Sequence, residues 1–140
     1  MASTGSRIGG NMEDRYLFKA KRVDNGEWIF GFISIHKTGK CFIRPLNGNG
    51  LSSEEVDKNT ICQCTGLKDK NGNLIWENDI VAYCDFTEEK YVIAWESDKA
   101  CFEYQQCSCS IMNFDELSNY DVEVVGNIFD NKELLLDTEE

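Results

Sequence analysis

The chain reads as mainly β: a β-rich α+β fold of antiparallel sheets forming a partly open barrel or a sandwich, with one or two short helices. Three observations carry that reading. Asn25-Gly26 and Asn71-Gly72 each sit beside apolar runs, and Asn-Gly is the strongest short-range signal of a β-hairpin. The apolar runs are short and rich in β-branched and aromatic residues, as in WIFGFISI at Trp28–Ile35 and YVIAW at 91–95. Residues 121–129 (DVEVVGNIF) alternate polar and apolar, the period-two pattern of a half-buried strand.

Taken in order, residues 16–23 (YLFKAKRV) form a first strand, and Asp24-Asn25-Gly26-Glu27 turns it into Trp28–Ile35. That second run is apolar throughout, which suits a strand buried on both faces or one covered by a partner. Gly31 within it marks a bulge or a close approach of backbone. Residues 36–40 (HKTGK) are a polar loop, and 41–44 (CFIR) a third strand stopped by Pro45, the chain's one proline. The most polar connection runs from Asn47 to Asn59, with Leu51 and Val56 as its only apolar anchors, and reads as a mobile or partner-contacting excursion. Its Gly-Asn-Gly run lacks the Lys-Ser/Thr that a phosphate-cradling loop needs. Further strands are expected at 60–65, 74–76, 80–83, 91–95, 100–105 and 121–129. Asn113 reads as the N-cap of a one- or two-turn helix, and 130–136 (DNKELLL) as a second helix capped by Asp130 or Asn131.

The densest turn chemistry lies at 65–83. There Asn71-Gly72 is expected to form a type I′ turn, with Asp69 bonding backbone groups two residues on. Glu77-Asn78-Asp79 is a second tight turn between Leu74-Ile75-Trp76 and the next strand. This stretch, TGLKDKNG followed by IWENDIV, resembles the signature of the YopX-type proteins of bacteriophages and prophages. Arg15–Ala20 with Trp28, and 125–131 (VGNIFDN), extend the resemblance over about residues 12–136. The family pattern has glycine where Asn78 stands; asparagine is the next most tolerant residue of positive φ, so the turn is kept. The resemblance implies a phage or prophage accessory protein and brings no catalytic residues with it.

At 140 residues the sequence fits one domain, and 41% hydrophobic with 28% charged residues is ordinary for a globular protein. Residues 1–11 read as a flexible leader ahead of Met12, 12–136 as a single β-rich domain, and 137–140 as an acidic tail. A formal charge of −11 opposes attraction to phosphate backbones and anionic lipid, so nucleic-acid and membrane partners are disfavoured. Seven cysteines, an odd count without a signal peptide, point to free thiols in a reducing cytoplasm. Cys62-x-Cys64 and Cys107-x-Cys109 have one intervening residue instead of the two to four of known zinc sites, and His36 is the only histidine. On a strand such pairs are two thiols facing one side.

No metal or cofactor is therefore assigned, and no catalytic residue. Glu77 and Asp79 are the most position-specific acids, with Asp79 expected to bond turn amides and Glu77 to be solvated. Trp28, Phe30, Trp76, Trp95 and Phe102 are expected to form the core of the sheet. The reading is an accessory protein that acts by binding an unidentified host or phage protein, with Trp76, Glu77 and Asp79 as candidate binding residues and self-association left open. The rivals are a nucleic-acid-associated module using the basic strand Lys19–Arg22, favoured by exposed aromatics among basic residues, and an enzyme whose carboxylate site lies in a pocket at Glu77 or Asp79.

Overall fold

Short apolar runs joined by tight polar turns can satisfy their backbone groups only by pairing with neighbours, and the result is antiparallel throughout. The structure is a computed structural model that describes residues 14–46, 52–83, 90–106, 111–113 and 121–135. The chain divides into two compact units, Met1–Cys64 and Thr65–Glu140.

In the first unit, β1 (Phe18–Lys21), β2 (Trp28–Ile35), β3 (Cys41–Pro45) and β4 (Glu54–Val56) follow one another as hairpins, and β5 (Cys62–Lys68) begins on the other side of β1. Registers such as Phe18↔Gly31, Ile33↔Ile43 and Cys41↔Val56 put Ala20, Ile29, Ile33, Cys41, Ile43 and Val56 into one apolar cluster. Ile43 is fully buried there, worth roughly 1.5–3 kcal/mol of apolar transfer. Gly31 is a close-approach glycine: a methyl group on it would strike the Arg44 carbonyl across the β2–β3 ladder.

The segment after residue 51 is more ordered than its polarity suggested. It contains β4 and a 3₁₀ turn, Lys58–Thr60, in which Asp57 accepts from the Asn59 N–H at 3.0 Å. Val56 anchors it in the cluster, as expected, and residues 47–51 lie outside the described ones.

In the second unit, the C-terminal part of β5 pairs with β6 (Leu74–Trp76), and β6 ends the sheet of order β4-β3-β2-β1-β5-β6. A second sheet, ordered β10-β9-β8-β7-β11, is formed by β7 (Asp79–Tyr83), β8 (Lys90–Glu96), β9 (Cys101–Gln106), β10 (Ile111–Asn113) and β11 (Val122–Asn127). Ile75 of β6 with Val81, Tyr91, Ile93, Tyr104 and Val122 of this sheet form the core of the second unit. Burial, and after it the charge of Asp121, pushes the Tyr104 phenol up to about 12. The fold is thus mainly β, in two antiparallel sheets, as the sequence reading had it.

Several local expectations are corrected. The β5–β6 turn is not type I′, because only Gly72 has positive φ (85°). Gly72 N–H donates to the Asp69 carbonyl and Asp69 N–H to that of Asn73, a three-residue loop with a left-handed glycine at its end. The Asp69 carboxylate selects it by accepting from the N–H groups of both Asn71 and Asn73, each at 2.9 Å. The expected 130–136 helix is only a 3₁₀ turn, Lys132–Leu135. Asn113 ends β10, and the helix expected after it falls on residues 114–117, which lie outside the described ones.

The aromatic core is also not the one expected. Among the described residues Trp76 is buried, together with Tyr91 and Tyr104, but Phe30 and Trp95 are exposed. Trp95 shares a strand face with Tyr91 and Ile93 but stands at the turn end of the β8–β9 hairpin, where it packs edge-to-face on Phe102, centroids 5.1 Å apart. No helix among the described residues is long and apolar enough to cross a membrane.

Candidate functional site

A β-strand sends alternate side chains to opposite faces, and residues directly opposite on neighbouring strands share a face. On β2, Ile29, Ile33 and Gly31 belong to the cluster side, which leaves Trp28, Phe30 and Phe32 on the other. The registers Lys19↔Phe30, Lys21↔Trp28 and Phe32↔Arg44 place three cations beside these rings. Phe30 is 45% exposed and Phe32 52%. The strand is therefore not buried on both faces, and only its second expected reading, coverage by a partner, remains available.

The lysines here are not an ordinary solvated face. Lys19 is only 8% exposed, with Nζ 4.7 Å from the Trp28 ring centroid and 6.0 Å from that of Phe30. Lys21 Nζ lies 5.4 Å from the Trp28 centroid. Aliphatic stems and cationic heads thus pack against the rings, a cation–π contribution of roughly 0.5–2 kcal/mol each. Exposed Tyr16, with the Arg15 guanidinium 5.1 Å over its ring, and exposed Leu46 extend the patch. Two depressions flank Leu46. One, about 400 Å³, is lined by Tyr16, Leu17 and Phe32; the other, about 440 Å³, by Trp28, Phe30 and Pro45.

The residues singled out from sequence lie elsewhere and are mostly inaccessible. Trp76 is buried and Asp79 is 2% exposed. Asp79 Oδ2 accepts from the Trp76 N–H at 2.8 Å, which is the expected turn bond. Asn78 has φ 73°, donates its N–H to the Ile93 carbonyl at 2.7 Å and accepts from the Ile128 N–H at 3.0 Å. Glu77 is half-buried, not fully solvated. The turn is thus tied by backbone to β8 and to the end of β11.

Cys62 and Cys64 are both buried on one side of β5, and the Cys62 thiol donates to the Thr60 carbonyl at 3.3 Å. Among the described residues no three metal-ligating side chains gather; Cys107 and Cys109 lie outside them. Sequence reasoning passed over Phe32, Tyr16 and Leu46. The available signal was a β2 run apolar on both strand faces, more than one cluster can absorb.

The fold and the pattern of turns point to one family, and the YopX protein family model matches residues 22–136. The chain belongs to the YopX family. Protein EF1440 from Enterococcus faecalis is similar in structure, with TM-score 0.53 and 24% identity over 84% of this chain and 96% of that one. The protein yopX from Bacillus subtilis is similar as well, with TM-score 0.52 and 15% identity over 86% of this chain and 96% of that one. No curated protein matches the chain. At such identities the likeness extends to the fold, and family membership carries no biochemical activity with it.

Proposed function

We propose that this protein is a phage or prophage accessory protein that works in the cytoplasm as a protein-binding module, its partner lying across the β2 face. The observation that carries the reading is the exposed array of Phe30, Phe32, Tyr16 and Leu46 with a depression on each side of Leu46. Contiguous exposed apolar surface of this kind is uncommon on a soluble chain unless something binds there. Arg15, Lys21 and Arg44 border the array, so the partner segment is one with apolar side chains flanked by acidic ones.

The same cations and rings are the arrangement that would favour a nucleic-acid module. Two features weigh toward protein instead. Lys19 and Lys21 already lie over the Trp28 ring, where a base would have to stack. A long polyanion would also run from this patch onto a chain of formal charge −11. A carboxylate enzyme site at Asp79 is disfavoured by that residue's burial and its bond to Trp76 N–H.

The test begins with a partner captured from cells carrying the phage, identified, purified and recombined with the chain. The Phe30→Ser/Phe32→Ser variant should keep its melting temperature and lose roughly tenfold or more in affinity, about 1.4 kcal/mol. Equal affinity of parent and variant for the reconstituted partner would overturn the assignment of this face.

A further inference from the structure

The basic residues of this acidic chain are not evenly spread. A cleft of about 560 Å³ in the first unit lies among the end of β1, the β1–β2 turn, the β2–β3 turn and the segment from β4 into its 3₁₀ turn. Lys21, Arg22, Lys40 and Lys58 line it, against two acids, Glu55 and Asp57. The whole chain has 25 acids and 14 Lys and Arg, so the local balance is the reverse of the global one. Its volume falls in the range of about 300–1,000 Å³ usual for small-ligand sites.

The charges are not equally committed. Arg22 is held by Asp24 at 2.8 Å and by Glu54 at 3.3 Å. One oxygen of Asp57 is taken by the Asn59 N–H. Lys40 and Lys58 are exposed and make no ion pair with any carboxylate among the described residues. They come from two different connections, the β2–β3 turn and the 3₁₀ turn, which the β3–β4 and β1–β2 pairings bring to one cleft.

We propose that this cleft binds a small polyanion, a compound with two or more phosphate or carboxylate charges, through Lys40 and Lys58. Size follows from screening. At physiological salt the Debye length is about 8 Å, so a ligand confined to the cleft meets the local cations and little of the chain's net charge. A long nucleic acid would meet both. Lys21 borders both this cleft and the Phe30–Phe32 face, whereas Lys40 and Lys58 belong to the cleft alone.

The test is calorimetric titration of the full chain at about 0.15 M salt with pyrophosphate, citrate and a single-stranded oligonucleotide in turn. Pyrophosphate or citrate should bind with a dissociation constant below about 1 mM, and Lys40→Gln or Lys58→Gln should weaken it roughly tenfold with the melting temperature unchanged. Lys132→Gln, far along the chain on its own 3₁₀ turn, should leave binding as it was. Binding of pyrophosphate alone would assign a phosphate ligand, and binding of both a site reading charge. The proposal is overturned if neither anion binds, if binding ignores both substitutions, or if the oligonucleotide alone binds.

Discussion

Asp69 does more than close a turn. One carboxylate oxygen accepts from the N–H groups of Asn71 and Asn73; the other reaches across to the Val124 N–H on β11 at 2.8 Å. Burial alone would push this carboxyl up, but the three backbone donors outweigh it and hold the group below the ordinary 3.8. A carboxyl depressed on folding contributes stability that is complete above its unfolded pKa and lost as pH falls through the lower folded value. Asp69→Ala should therefore cost about 2–4 kcal/mol at neutral pH, since three N–H groups lose an acceptor worth about 1 kcal/mol each. Urea midpoints of parent and variant should converge as pH drops from 3.8 through the folded pKa. A stability gap that stays the same in acid would show that the carboxylate's charge is not what the amides hold.

At the scale of elements, two features decide where strands and helices stop. Gly31 lets β2 and β3 approach so closely that its missing side chain is filled by the Arg44 backbone. Gly31→Ala should force the ladder apart at a cost of about 1–3 kcal/mol or more, the range for overpacking, with lowered urea and thermal midpoints. Parental stability in that variant would mean the two strands have slack that the packing does not show. The other feature lies at the end of β11. Asn127 Oδ1 accepts from the N–H groups of Phe129 and Asp130, and Asn131 Oδ1 accepts from the Asn127 N–H at 3.1 Å. These bonds wind residues 127–131 into a turn, which leaves four residues for the 3₁₀ turn Lys132–Leu135 in place of the longer helix that DNKELLL suggested. Asn131 also fills the space over Gly126, where β11 bulges against β7.

For the molecule as a whole, stability rests on two apolar clusters and antiparallel ladders, with the buried thiols of Cys41, Cys62 and Cys64 serving as small apolar groups. Treatment with a chelator should accordingly leave the melting temperature within about a degree. A fall of several degrees, or stoichiometric zinc in the purified chain, would show that the Cys-x-Cys pairs hold metal.

The sequence by itself determined the strands other than β4 and β10, because alternation, β-branched runs and Asn-Gly turns are local and each restricts φ and ψ without help from distant residues. It also determined the family and the roles of Gly31 and Asp79, whose bonds reach only nearby groups or the next strand. Tertiary structure decided what register alone can set. Phe30 and Ile29 are both large and apolar, and only the pairing of β2 with β1 and β3 sends one to the cluster and the other to the surface. Lys40 and Lys58 are 18 positions apart in sequence and line one cleft only because β3 and β4 fold back on each other. Asp69 and Val124 are 55 residues apart, joined by a carboxylate that no turn propensity encodes. Local chemistry settles conformation, whereas which face is covered and which charges converge depends on strand order, and strand order is a property of the whole chain.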